Sequence, residues 1–230
     1  MSQSYKAMPK RILKKAASMV FAAVALAPTL AAQTPIRRFT ATTDNVHGTP
    51  DSIRIDVLRW STDAERDQLM SAWNSTNGPG RTGRGDGRAA ARGGRGAGRG
   101  RGEETPAQTP ESSFADALQR AATVGYLWSS EVEGYALRYA GKLALPDGRE
   151  RIIVITDRRL GALTDPWTPV GSVPPNSYTF SVIELRVNSK GDGEGKISLT
   201  GKVSPDTAAK IVAIENYADL PVTLKNLKAK

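Results

Sequence analysis

Cysteine is absent from this chain of 230 residues, which excludes disulfides, thiol nucleophiles and zinc–thiolate centres. Histidine occurs once, at His47 in "NVHGTP". A serine-type triad or a His-rich metal site would have to be built on that residue, and no G-x-S-x-G or H-E-x-x-H motif accompanies it. No metal or cofactor is therefore expected. Long apolar runs are missing too. The most apolar stretch, Met19 to Ala27, is nine residues long and is followed by Pro28, whereas a membrane-spanning helix needs about 20.

The first 32 residues have a different design from the rest. Lys6, Lys10, Arg11, Lys14 and Lys15 form a basic head without an acid, and "AASMVFAAVALAPTLAA" then runs uncharged to Ala32. A positive head, a short apolar stretch and small residues before a polar one predict a secretory signal peptide over 1–32, cleaved after Ala32, with Met8 as an alternative start. With no Cys at the cleavage point, a diacylglyceryl anchor is excluded. The expectation is an exported protein, periplasmic or secreted, with no permanent membrane anchor.

Charge is concentrated in two places. The whole chain carries +9, of which the leader holds +5 and residues 78–102 hold +6, so the remainder is near neutral at −2. That second segment, "GPGRTGRGDGRAAARGGRGAGRGRG", is 11 Gly and 7 Arg in 25 residues, with Asp86 its one acid. It lacks the apolar content that offsets ordering entropy, so disorder is predicted, within an insertion at about 74–111. Arg81, Arg84, Arg88, Arg92, Arg95, Arg99 and Arg101 can attract a polyanion through its phosphates. No Phe, Tyr or Trp lies between 74 and 113 to stack on bases, so no specific nucleic acid is expected. The "RGD" at 84–86 is a chance string in such a tract.

Around the insertion the pattern is that of strands. Ile53, Ile55 and Val57 alternate with Arg54 and Asp56, the two-residue period of a half-buried strand. "IRRFTATTD" precedes it. "YLWSS", "GYALRYAGKLAL", "RERIIVIT", "SYTFSVIELRVN", "GKISLTGKVS", "AKIVAIEN" and "LPVTLKNLK" follow, with hairpin turns at "PDG" (146–148) and "KGDG" (190–193). Lys196 to Ser204 reads as one alternating strand. "STDAERDQLMSAW" and "SSFADALQRAATVG" read as helices, capped at Ser61 or Thr62 and at Ser112 or Ser113, the second closed by Gly125. The fold class is mainly β: an antiparallel barrel or sandwich of about eight to nine strands in one domain, 33–230, with two short helices between the second and third strands.

Candidate chemistry is sparse. "DGEGK" at 192–196 offers two carboxylates but reads as a turn, not as a calcium loop with six to eight oxygens. Asp157, Arg158, Arg159 and Asp165 can surround a pocket mouth, and Glu184 and Arg186 share a strand face with Tyr178 and Phe180. Carboxylates paired with arginines do acid–base work or clamp an anion, or else form cross-strand ion pairs at a sheet edge. Trp60, Trp128, Trp167 and Tyr135 are core residues or stacking surfaces, Trp128 being the one carried forward as a ligand contact.

Blocks "DSIRIDVLRWSTDAERDQLMSAW", "VGYLWSSEVEGYALRYAGKLALPDGRERIIVITDRR", "YTFSVIELRVNSKGDGEGKISLTGKV" and "IENYADLPVTLKNLK" resemble a family of uncharacterised exported bacterial proteins. The resemblance covers nearly all of 33–230 except the Gly/Arg segment. That family has no assigned activity or site, so the resemblance implies export and nothing catalytic. The function these residues support is a soluble, monomeric, exported β domain that binds a ligand or envelope component without catalysis. The alternatives are a secreted hydrolase using an Asp/Glu pair, polyanion or nucleic-acid binding through the Gly/Arg arm, and a partner docked along a sheet edge.

Replacing 78–102 by a short Gly/Ser linker should leave the melting temperature unchanged, because loop length costs only about 0.6 kcal/mol per doubling. Heparin or RNA binding by the intact chain should fall steeply with salt. Unfolding on deletion would show that the tract carries structure.

Overall fold

The computed structural model describes residues 34–48, 52–75, 108–129, 134–162, 167–171 and 174–230. The predicted leader, the Gly/Arg tract with its seven arginines, and Asp165 lie outside the described residues. The elements run β1 (Arg37–Thr43), β2 (Val46–His47), β3 (Ile53–Val57), α1 (Asp63–Ser75), α2 (Pro110–Arg120), β4 (Gly125–Trp128), β5 (Tyr135–Ala144), β6 (Glu150–Thr156), β7 (Thr168–Pro169), β8 (Ser181–Val187), β9 (Asp192–Ile197), β10 (Val203–Asp206), β11 (Ile211–Ile214) and β12 (Leu224–Ala229).

Eight of these strands close into an antiparallel barrel in the order β1-β3-β4-β5-β6-β8-β9-β12, with β12 returning to β1. The order follows the chain, so the barrel is an up-and-down meander. Two-stranded pairs β2–β7 and β10–β11 are accessories to it. The architecture is thus mainly β with two helices, as expected, and a barrel rather than a sandwich.

Alternation along each strand explains the closure. Phe39, Ile55, Leu127, Leu137, Ile152, Ile183 and Leu227 come from seven different strands, and each is at most 1% exposed. With Ile197 of β9 they belong to one cluster that fills the lumen. A barrel of eight strands is just wide enough for its own side chains, and here they occupy it. Leu160, Trp167 and Leu199 from the loops complete the same cluster. Outward positions on β1, β3 and β12 are Arg38, Thr40, Thr42, Arg54, Lys225 and Lys228, the reverse of the apolar outer band of a membrane-spanning barrel.

A second core lies outside the wall. Leu69 and Trp73 of α1, with Phe114, Ala117 and Leu118 of α2, join Ile153, Ile155, Val182 and the four residues of β11. Trp73 meets Phe114 edge-on, 5.6 Å between ring centroids at 82°. β6 is therefore buried on both faces, which is why "RIIVIT" shows no alternation. Helix α1 is capped by Thr62 with Glu65: the Thr62 amide donates to Glu65 at 2.8 Å and the Glu65 amide to the Thr62 hydroxyl at 3.2 Å. Donors from Arg59 and Thr62 hold the Glu65 carboxyl down at about 2.

Several sequence expectations are corrected. The cap of α2 is Thr109, not Ser112 or Ser113; Pro110 follows it and Ser112 closes the box. Gly125 does not end that helix but opens β4. The strand expected over Lys196–Ser204 is two strands, β9 ending at Ile197 and β10 starting at Val203. The break arises because the Asn176 side-chain amide donates to the carbonyls of both Ser198 and Gly201, folding the chain between them, while Leu199 turns into the barrel core. "DGEGK" is not a turn: Gly193 and Gly195 pair with β8 on one side and β12 on the other. The turn sits earlier, at Asn188–Gly191, where Gly191 supplies φ +86°.

Ile55→Asp should destabilise by about 4 kcal/mol or more, because it places an unpaired carboxylate in the lumen. A thermal melt checks this, and an unchanged midpoint would put Ile55 outside the barrel.

Candidate functional site

Strand register decides what faces what on the outer wall. Glu184 of β8 lies opposite Lys196 of β9 and Ile153 of β6. Its side chain is fully buried, and a buried carboxylate must be paired. Arg151 donates to one Glu184 oxygen at 2.8 Å, and Arg186 donates to the other at 3.1 Å. Arg151 also reaches out to Asp206 of β10 at 2.7 Å. Burial works against the Arg151 charge, but the hydrogen bonds and charges of Glu184 and Asp206 outweigh it and raise its pKa. For Asp206, burial is outweighed by the amides of Ala208 and Ala209 and by Arg151, and the carboxyl titrates below its ordinary range.

The network continues toward the end of β9. Lys196, 5% exposed, donates to the carbonyls of Tyr217 and Ala218. The Tyr217 ring lies 3.6 Å from the Arg186 guanidinium and 4.4 Å from the Lys196 ammonium, cation–π contacts made in a desolvated place. Burial pushes the Tyr217 phenol up, and its hydroxyl is buried without a hydrogen-bond partner. It stays protonated and is no base.

Of the sequence candidates, Glu184 and Arg186 are joined here, but in the middle of a closed wall and not at a sheet edge, since the barrel has none. Among the described residues the open strand edges belong to the two-stranded pairs β2–β7 and β10–β11. Tyr178 and Phe180 precede β8 rather than share its strand face; their rings stack 5.4 Å apart. Asp157, Arg158 and Arg159 follow β6 at one barrel end and go separate ways. Asp157 accepts from Arg138 at 2.6 Å, Arg158 lies 4.6 Å over the Tyr135 ring, and Arg159 donates to Asn176 and to the Leu199 carbonyl. Burial lowers the Arg159 pKa. Trp128 is on the far wall, 5.6 Å under Arg54 and beside Tyr126. His47 is exposed in β2. Trp167 and Tyr135 are core; Trp60 packs partly buried against it.

Two recesses lie beside the helices, one of them reaching the network at Arg151. One of about 520 Å³ runs along α2, with Glu111, Asp116, Ser177, Tyr178, Thr179 and Phe180 in its lining. The other, about 220 Å³, is enclosed by α1, β5, β6 and the turn at 207–210, and every charged residue lining it is a cation: Arg66, Lys142, Arg151 and Lys210. As site residues, sequence reading passed over Arg151, Lys196, Asp206 and the other three cations of the recess. Arg151 carried one signal: a charge at the head of an otherwise apolar strand has to find partners. Among the described residues no group of three His, Asp or Glu is placed to hold a metal ion.

Comparison with protein-family models, curated proteins and solved structures gives no match.

Glu184→Gln should cost about 3–5 kcal/mol, because it leaves the buried Arg151 and the partly buried Arg186 with half their charge unmatched. Lys228→Ala, which removes an ion pair to Asp192 from an exposed face, should cost about 0–1 kcal/mol. Urea unfolding separates the two. Acid should weaken the network through Asp206: its carboxyl is depressed in the folded state, so the stability it adds is present above the ordinary carboxylate range and is lost as pH falls from that range through the lower folded-state value.

Proposed function

We propose that this chain is an exported, monomeric binding domain that takes up a ligand or cell-envelope component on its outer wall and transforms nothing. One observation carries the reading. The carboxylates singled out from the sequence for an acid–base pair are already committed to guanidinium groups, Glu184 to Arg151 and Arg186, and Asp157 to Arg138. A general acid and base need carboxyls whose environments push their pKa values apart and leave one free to take a proton. Here the oxygens of both are already taken up by guanidinium donors.

The filled lumen supports binding outside the barrel, in the recesses beside α1 and α2. The basic head and short apolar stretch support export, as does the resemblance to exported bacterial proteins.

Protein collected from outside the cytoplasm should begin, by intact mass, at or within a few residues of Gln33. A thermal-shift screen of that protein against envelope extracts should yield a ligand that raises the midpoint and is recovered chemically unchanged. Turnover that is abolished by Asp157→Asn or Glu184→Gln in a still-folded protein would replace this reading with the hydrolase.

A further inference from the structure

We infer that the recess between α1, β5, β6 and the 207–210 turn binds one phosphate or sulfate group, free or carried on a larger molecule. This rests on the binding reading above and adds the chemistry of the ligand.

The lining comes from four separate elements: Arg66 on α1, Tyr139 and Lys142 on β5, Arg151 on β6, and Lys210 on the turn. The acids nearby are engaged with these cations. Asp63 and Asp67 hold Arg66 at 2.7 and 3.0 Å, Glu184 and Asp206 hold Arg151, and Glu150 stands 3.9 Å from Lys142. None of these acids lines the recess. An anion entering would meet ammonium groups, guanidinium edges and a hydroxyl.

Arg151 is the second observation that points to a ligand. It is 8% exposed, it lines the recess, and its Nε is buried with no hydrogen-bond partner. A buried unpaired donor on a cation costs about 1–3 kcal/mol or more, and it persists more readily where an acceptor offsets the cost. Tyr139 adds a donor. Its ring lies across Gly141, where a Cβ would collide with the hydroxyl, so glycine at 141 is what lets the phenol reach over the strand. Burial raises the Tyr139 pKa, which keeps that proton in place.

Shape selects the class of anion. A guanidinium fork grips carboxylate and phosphate alike, so the donors left free decide how an anion is held. Both forks here are already joined to the protein's own carboxylates. What remains are point charges and single donors converging from several sides, which suit a tetrahedral oxyanion. A volume of about 220 Å³ holds such a group and little else.

Isothermal titration of the full chain with inorganic phosphate, at constant ionic strength, tests this. Saturable one-site binding is expected, weakened at least tenfold in Lys142→Ala/Lys210→Ala and about threefold in Tyr139→Phe, with Lys228→Ala unchanged. Melting curves of each variant establish that it folds. The arginines of 78–102 attract any polyanion, so a response equal in wild type and double variant overturns the site, as does failure to saturate. Vesicles of phosphatidic acid against phosphatidylcholine distinguish the sources: binding lost in the double variant assigns a lipid headgroup, and free phosphate binding alone assigns a soluble anion. A phosphomonoester should be returned intact. Its hydrolysis would overturn the non-catalytic reading and leave the anion site standing. Conversely, no phosphate response in a chain whose screened ligand still raises its melting point would overturn the site alone.

Discussion

Burial of the β6–β8 wall on both faces is the constraint from which the rest follows. Inside, Ile152, Val154, Ile183 and Leu185 fill the lumen; outside, Ile153, Ile155 and Val182 meet the helices and the β10–β11 pair. Such strands leave little solvated surface for a charge, yet β6 and β8 carry Arg151, Glu184 and the partly exposed Arg186. Each must be neutralised in place, and Arg151 does so by bridging Glu184 in the wall to Asp206 in the accessory pair. A buried ion pair adds little net stability compared with apolar residues of the same size. Its effect is on registration, since Asp206 meets Arg151 only when β10–β11 sits at one position on the wall.

That registration also builds the recess. The turn at 207–210 follows directly from Asp206, whose carboxylate accepts from the Ala208 and Ala209 amides. The same bridge that fixes the accessory pair therefore places Lys210 opposite Arg66 and Lys142. Electrostatics and packing meet in a single side chain. Arg151 is structural on two of its nitrogens and uncommitted on the third.

Much of the barrel was legible in the sequence where one strand face is wet. Ile53 to Val57 alternates because its other face meets water, and the structure agrees residue by residue except at Asp56, which is buried by pairing with Arg38 and Arg54. Legibility failed where local chemistry was degenerate. Thr109, Ser112 and Ser113 are all competent caps, and only Pro110 discriminates among them. Lys196 to Ser204 alternates in letters, but a remote amide, Asn176, folds it into a turn. The recess was invisible for a different reason: its cations stand at 66, 142, 151 and 210, with no linear motif to join them. Glu184 and Arg186 were found as a pair because they are two residues apart.

Closure of the barrel by β1 and β12 has a temporal side. Phe39 pairs with Ala229, and Arg38 exchanges backbone hydrogen bonds with Lys230, so the seam joins the first and last strands of the meander. Until β12 arrives, β1 and β9 are open edges and the lumen is a trough with one stave missing. A chain threading through a membrane pore in the proposed export route would present seven strands that cannot seal. Sequence separation makes the seam a slow, non-local contact, although the entropy of joining so distant strands grows only logarithmically. For an exported chain the seam can form only once β12 has followed β1 across the membrane, so an open barrel stays threadable until its last strand is through.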